Sequence, residues 1–148
     1  TPEGKKYRPA NRVCHFIELL PHIKGDWAAR RERLLLAAWQ VFIVASVFGW
    51  VDRNTLRRRF RIADLFVPRK NAKSTIAAAI GLYMMSADGE AGAEIYSGAT
   101  SEDQAGEVFK PAKLMGVESQ GMVLAAGDKE VGGLVTILEE VDPGTKVK

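Results

Sequence analysis

Strand-like and helix-like segments alternate between Arg57 and Met115, and this order constrains the fold of the 148-residue chain more than any other feature. The order is a strand at 57–67, a helix over 75–85 that starts near Lys73, a strand at 93–98 and a helix capped by Thr100 or Ser101 that runs to about Met115. Strands and helices that alternate in this way form parallel sheets with right-handed crossovers. The sequence therefore predicts an α/β fold with a parallel sheet and flanking helices.

The first ten residues, 1–10, are polar, contain two prolines and lack periodicity, so we expect an extended N-terminal segment. A short helix is predicted next. Asn11 can cap it, and Pro21 ends it. Its apolar residues recur at helical spacing: Val13, Phe16, Ile17 and Leu20.

Residues 34–51 are the most apolar stretch and contain only Gln40 and Ser46 as polar side chains. Its length is close to the roughly 20 residues that a membrane-spanning helix needs, so a membrane helix is one interpretation. A buried helix of a soluble domain is the favoured one, because the stretch carries an unpaired amide and is followed by a basic, amphipathic segment.

Positive charge is concentrated in the first half of the chain. Residues 1–75 hold 16 basic and 6 acidic side chains, whereas residues 76–148 hold 5 basic and 12 acidic ones. The first half is therefore where we expect a phosphate-bearing ligand. Cys14 is the sole cysteine, which excludes an intrachain disulfide and a multi-cysteine metal site and suits a reducing cytoplasm.

The segment Val67–Ser74, here called the basic loop, lies between a predicted strand and the N-terminus of a predicted helix. Free N–H groups and the helix dipole at such a position favour phosphate. Lys73 would bridge the β and γ phosphates, and the Ser74 hydroxyl would bind Mg²⁺. The match to G-x-x-x-x-G-K-[ST] is incomplete, because Val67 and Ala72 stand at the glycine positions. A basic turn capped by Ser74 is the alternative interpretation.

The string PRKNAKST at residues 68–75 resembles the deviant Walker A loop of the large terminase subunit of tailed double-stranded DNA phages. Further segments resemble the same family in the same order, and the likeness covers about residues 12–115. They are HFIE at 15–18 with His22 and Gly25, LAAWQVFIVASVFGW at 36–50, residues 58–63, and YSGATSEDQA at 96–105.

The resemblance implies a P-loop NTPase-like fold of the ASCE type, with residues 11–148 as the N-terminal part of an incomplete ATPase domain that lacks the nuclease domain. It implies ATP and Mg²⁺ as ligands. Gln40 would read the adenine through its amide, which favours the soluble interpretation of residues 34–51, and Arg69 would act with Lys73 in catalysis by contacting the γ phosphate. The nucleotide-binding residues that it implies are Gln40, Arg69, Lys70, Asn71, Ala72, Lys73, Ser74 and Thr75, with Ser74 as the Mg²⁺ ligand.

As a terminase, the chain would belong to a motor that couples ATP hydrolysis to DNA translocation into procapsids in the host bacterial cytoplasm. Double-stranded DNA, the portal protein and the small terminase subunit would be partners, within a ring and without a membrane. The alternative is a degenerate loop in a non-catalytic module that binds nucleic acid or a partner protein. In both cases the basic run Arg57–Arg61 either contacts DNA phosphates or is a solvated strand entry.

Hydrolysis also requires carboxylates at the end of an apolar strand. A possible third strand at 134–141 contains Glu139 and Glu140, which imitate a Walker B arrangement. This segment runs into a turn at 141–144, so an edge strand with solvated carboxylates is the favoured interpretation. The resemblance places the Walker B strand beyond Lys148, and ATP hydrolysis by this chain alone therefore stays uncertain.

Overall fold

Helices account for the regular structure of residues 8–119, which are the residues that the computed structural model describes. In chain order the helices of this range are α1 (Pro9–Leu19), α2 (Gly25–Ala29), α3 (Ala38–Gly49), α4 (Lys73–Ser86) and α5 (Glu102–Glu118).

The helices predicted from local sequence signals are present, but the prediction that Asn11 caps the first one is wrong, since Arg8 is the N-cap and Asn11 lies inside α1. Helix α1 begins at Pro9, so Pro9 and Ala10 are helical although residues 1–10 were expected to be extended. Helix α4 begins at Lys73, as predicted. The Ser101 hydroxyl caps α5 by accepting a hydrogen bond from the Gln104 N–H at 3.3 Å.

The apolar stretch at 34–51 forms α3, which is 12 residues long. Between residues 8 and 119, no helix is long and apolar enough to cross a membrane. Val44 and Phe48 of α3 are buried against the other helices, so this stretch contributes to the core.

The core lies where α1 contacts α3 and α4, and where α4 contacts α5. Tyr83 of α4 is at its centre. The Tyr83 ring meets the rings of Phe16 and Phe48 edge-on, with centroids 5.4 and 5.5 Å apart, and thereby joins three helices. The other buried apolar residues of this core are Val13, Ile17, Leu20, Leu34, Val44, Ala78, Ala79, Leu82 and Met115.

Helices α1 and α3 approach each other closely at Gly49, the last residue of α3. A Cβ atom at this position would lie 2.9 Å from the Ala10 Cβ, which is shorter than side-chain contacts allow. The absence of a side chain at Gly49 therefore sets the separation of the two helices.

The prediction of a parallel sheet in an α/β fold of the P-loop NTPase type is wrong for the described residues, since they contain no strand. The segments 57–67 and 93–98, both predicted as strands, form no backbone hydrogen bond with each other. A strand is stable only when a neighbour satisfies its N–H and C=O groups, and for these two segments such pairing is limited, among the described residues, to a single bridge between Val51 and Arg58. The third predicted strand, 134–141, and its Glu139 and Glu140 lie outside the described residues.

A turn joins α3 to the predicted strand at 57–67. The Asp52 N–H donates to the Arg57 carbonyl and the Arg59 N–H to the Trp50 carbonyl, each at 2.8 Å, so pairing stops after two residues. Arg58 forms an ion pair with Asp88, just beyond α4, and its guanidinium lies 4.4 Å from the centre of the Phe48 ring. Arg58 therefore connects the turn to α3 and to the end of α4, and its charge is paired with Asp88.

Candidate functional site

The basic loop turns sharply into α4. Lys70 and Ala72 both have left-handed backbone conformations, with φ of 67° and 53°. Residues with side chains seldom adopt this conformation, which costs roughly 1–2 kcal/mol each. Such turns direct successive backbone N–H groups into one concavity, the arrangement that binds anions. Ala72 thus adopts the left-handed conformation although its Cβ atom makes this conformation unfavourable.

Two side chains hold the basic loop in shape. The Lys73 ammonium donates a hydrogen bond to the Val67 carbonyl at 2.8 Å, which closes the loop on itself. The Asn71 Nδ2 donates to the Pro68 carbonyl at 3.2 Å and to the Arg69 carbonyl at 3.4 Å. The loop therefore has a defined conformation with Lys73 positioned across it.

The N-terminus of α4 completes an anion-binding arrangement. Its first backbone hydrogen bond runs from the Ile76 N–H to the Ala72 carbonyl at 3.0 Å. The N–H groups of Lys73, Ser74 and Thr75 consequently have no acceptor within the helix, and the positive end of the dipole of this 14-residue helix adds to them. Exposed cationic side chains from Arg69 and Lys70 lie in the same loop.

A cavity of about 220 Å³ opens beside this N-terminus. Ala72 and Thr75 line it, and so does Gln40 of α3. Gln40 is only 9% exposed, so its side chain does not face bulk solvent. Its Oε1 accepts the Ala37 N–H at 2.8 Å, and in the described range its Nε2 has no hydrogen-bond acceptor. The amide therefore has a fixed orientation and an unused donor.

The same cavity is lined by two aromatic residues, His22 and Trp27. Their ring centroids are 5.2 Å apart and their planes are inclined by 30°. Glu32 holds their backbones together: its carbonyl accepts the His22 N–H at 2.8 Å, and its N–H donates to the Trp27 carbonyl at 2.9 Å. A fixed aromatic pair thus faces a cavity that also reaches α4.

The structure brings some of the predicted site residues together. Gln40, Ala72 and Thr75 share the cavity, while Lys73 lies across the basic loop and also lines a larger groove of about 970 Å³ with residues 56–58, 60–63 and 65. Within residues 8–119, the side chains of Arg69, Lys70 and Ser74 form no hydrogen bond or ion pair. They are therefore available to a ligand.

Sequence reasoning missed Trp27 as a site residue and treated His22 only as part of a family likeness. Helix α2 begins at Gly25 and carries Trp27, which lines the cavity. The sequence gives little indication that His22 and Trp27 lie together, because their proximity depends on backbone hydrogen bonds to Glu32, five residues beyond Trp27.

Residues 38–132, more than half of the chain, match the family described as the terminase large subunit, ATPase domain. The chain therefore belongs to this family. The match includes α3, the basic loop, α4 and α5, and hence every residue predicted to bind the nucleotide. Membership in an ATPase family implies that the domain uses a nucleotide.

Short stretches are similar to methionine–tRNA ligases. The enzyme of Methanoregula boonei is 58% identical over 38 residues, which is 26% of this chain and 5% of that protein. The Thermotoga maritima enzyme is 58% identical over 39 residues, which is 26% of this chain and 6% of that enzyme. The Methanococcus aeolicus enzyme is 91% identical over 23 residues, which is 16% of this chain and 3% of that enzyme. The chain thus spans about a twentieth of the first of these relatives. No solved structure matches the chain significantly.

The donor set of the basic loop fits the phosphates of a nucleotide. It consists of backbone N–H groups, the Lys73 ammonium and two further cations, and it contains no carboxylate that would repel a phosphate. The Ser74 hydroxyl, at the second position of α4, is an oxygen ligand of the kind that Mg²⁺ takes together with phosphate oxygens.

Proposed function

We propose that the chain is the ATP-binding part of a DNA-packaging motor, the N-terminal part of the ATPase domain of a phage terminase large subunit. One observation supports this most strongly: the basic loop and the open N-terminus of α4 adjoin a cavity that Gln40 lines with an unused amide donor. Ala72 and Thr75, on either side of the first residues of α4, thus line the same cavity as a donor for a base edge, which is an arrangement suited to nucleotide binding.

Each residue of the basic loop has a role in this proposal. Lys73 leaves the Val67 carbonyl and bridges the β and γ phosphates, while the N–H groups of residues 69–74 surround the chain of phosphates. Ser74 holds Mg²⁺, and Arg69 stabilises the charge on the γ phosphate as it is transferred. Lys70, Asn71, Ala72 and Thr75 complete the binding surface, and Gln40 reads the adenine.

Calorimetric titration of Mg-ATP into the chain and its Lys73→Ala variant tests the proposal. We expect the wild type to bind and the variant to lose roughly tenfold or more in affinity, because a charge-assisted hydrogen bond to phosphate is removed. Lys110→Ala is the matched control, since it removes an exposed lysine from α5, away from the basic loop. Equal binding by wild type and Lys73→Ala would contradict the proposed role of Lys73.

The proposal extends to the substrate, partners and assembly of the whole motor. Double-stranded DNA is its substrate, the portal protein and the small terminase subunit are its partners, and its subunits form a ring in the host bacterial cytoplasm. ATP hydrolysis is proposed for the large subunit of this motor. Residues 11–148 contribute nucleotide binding.

A second candidate function is a nucleic-acid-binding module that does not use ATP. Arg57, Arg59 and Arg61 are exposed, unlike Arg58, and the pairing of their segment with residues 50–52 is limited to a single bridge within residues 8–119. The short similarity to methionine–tRNA ligases adds tRNA to the nucleic acids to be tested.

Fluorescence anisotropy with labelled double-stranded DNA and labelled tRNA, each at several salt concentrations, tests this candidate. It predicts binding that weakens steeply with salt and is indifferent to Mg-ATP. Replacing Arg57, Arg59 and Arg61 by alanine should then weaken binding. Nucleic-acid binding that changes when Mg-ATP is added would instead favour the motor.

A further inference from the structure

The aromatic pair of His22 and Trp27 has no explanation in core packing. Trp27 is 55% exposed although it is among the largest apolar side chains of the chain, whereas the core aromatic residues Phe48 and Tyr83 are almost fully buried. Several other large apolar side chains are also exposed, but Trp27 differs from Trp50 in lining a cavity, which it shares with Gln40, Ala72 and Thr75. A flat apolar group bound in this cavity would remove part of the Trp27 surface from water.

The position of Trp27 is fixed before any ligand arrives. Its carbonyl accepts the Glu32 N–H, and the Glu32 carbonyl accepts the His22 N–H, so one residue holds the two backbones that carry the rings. A further hydrogen bond, from the Leu34 N–H to the Leu20 carbonyl at 2.8 Å, ties the ends of this segment to each other. A flat ligand stacked on Trp27 therefore does not have to order the segment.

The remaining cavity walls indicate what kind of flat group fits. Ile17, Ile23 and Leu36 supply apolar surface, and Gln40 supplies one amide donor. An aromatic face, apolar walls and a single directed donor suit a heteroaromatic ring with a hydrogen-bond acceptor on its edge. A nucleobase has both properties, and Ala72 and Thr75 connect the same cavity to the basic loop.

We propose that Trp27, backed by His22, is the stacking surface for the base of the bound nucleoside triphosphate, while Gln40 contacts the edge of that base. This inference rests on the proposed function and adds a residue to its site. Trp27 would contribute to affinity for the base and nothing to affinity for the phosphates.

Calorimetry with two ligands, Mg-ATP and Mg-tripolyphosphate, separates these contributions. For Trp27→Ala we expect roughly tenfold weaker ATP binding, as base–aromatic stacking predicts, and unchanged tripolyphosphate binding. Trp27→Phe keeps an aromatic face and should restore most of the ATP affinity. Trp50→Ala is the matched control, because Trp50 is 58% exposed but lies outside the cavity, and it should leave both affinities unchanged.

Intrinsic fluorescence gives a second readout. ATP should quench the wild type and Trp50→Phe, and the quenching should disappear in Trp27→Phe although ATP still binds. If ATP affinity is the same in wild type and Trp27→Ala, the stacking role is overturned while the phosphate site stands. If wild type binds ATP no more tightly than tripolyphosphate, the base has no site and the inference fails. If wild type binds neither ligand, the proposed function fails together with it.

Discussion

Tyr83 and Phe66 are both large aromatic residues of the same chain, yet Tyr83 is 3% exposed and Phe66 is 93% exposed. Tyr83 belongs to the helical core, and Phe66 belongs to what we call the open segments, residues 60–71 and 89–100, which contain neither helix nor strand. Apolar side chains in the open segments are exposed as a group: Phe60, Ile62, Leu65, Phe66, Ile95 and Tyr96.

The difference between the two regions lies in their backbones. A helix satisfies its own N–H and C=O groups within four residues, so its apolar face needs only another apolar face. An extended segment must find a partner for its backbone as well as for its side chains. The helical core is therefore complete within residues 8–119, whereas the open segments are not paired there.

The largest expected effect comes from removing the aromatic centre of the core. Tyr83→Ala should lower the free energy of unfolding by about 3–5 kcal/mol, because it leaves a cavity between α1, α3 and α4. Phe66→Ala, in an open segment, should change it by less than about 0.5 kcal/mol. Urea unfolding followed by circular dichroism measures both. A similar loss in the two variants would show that the open segments are packed after all.

The contact between α1 and α3 gives the next effect. Gly49→Ala should destabilise the chain by about 1–3 kcal/mol, because the new methyl group would overlap the Ala10 Cβ and push the helices apart.

Gly106→Ala in α5 is the matched control for this contact. Its new Cβ would meet only the end of the flexible Lys110 side chain, at 3.3 Å. It should stabilise the chain by roughly 0.5–1 kcal/mol, since alanine favours helix more than glycine does. If thermal unfolding shows the same sign for both variants, the helices do not approach as closely as described.

A smaller effect, of opposite sign, is expected where an open segment meets α4. Ala72→Gly should raise the free energy of unfolding by about 1 kcal/mol, because glycine adopts the left-handed conformation without strain. The same substitution at Ala77, an exposed position inside α4, should lower it by about 1 kcal/mol. Denaturant unfolding of the two variants checks the contrast. A loss at both positions would mean that Ala72 is not left-handed in solution.

The smallest effect concerns the turn before the open segment. The Thr55 N–H donates to the Asp52 carboxylate at 2.8 Å, and this bond, with those from the Thr55 hydroxyl and the Asn54 N–H, holds the pKa of Asp52 below its ordinary value of 3.8. A lowered pKa in the folded state adds stability above the unfolded pKa, and this stability is lost as the pH falls through the folded pKa.

Unfolding of wild type and Asp52→Asn at a series of pH values tests this turn. The stability of wild type should fall more steeply below about pH 4 than that of the variant, which has no carboxylate at this position. Because Asp52 is fully exposed, the difference should be slight. Parallel pH profiles would show that the hydrogen bonds of the turn do not persist in solution.

The sequence predicts what depends on near neighbours. Ser101 caps α5 through a residue three positions on, and Val13 and Ile17 share one face of α1 by their spacing alone. The predicted strands at 57–67 and 93–98 were wrong because their residue patterns show only that the segments favour an extended, partly buried conformation. The patterns do not show which neighbouring strand would accept and donate the backbone hydrogen bonds. The position of Lys73 at the start of α4 was predictable, whereas the Trp27 surface depends on a hydrogen bond to Glu32 that no local pattern indicates.

The hydrogen bond between the Lys73 ammonium and the Val67 carbonyl orders the Lys73 side chain in the absence of any ligand. A free lysine side chain loses about 1.5–2 kcal/mol of rotamer entropy when it is ordered. If the basic loop binds phosphate as proposed, a phosphate oxygen would replace the Val67 carbonyl as the acceptor, and much of this entropy cost would already be met before binding.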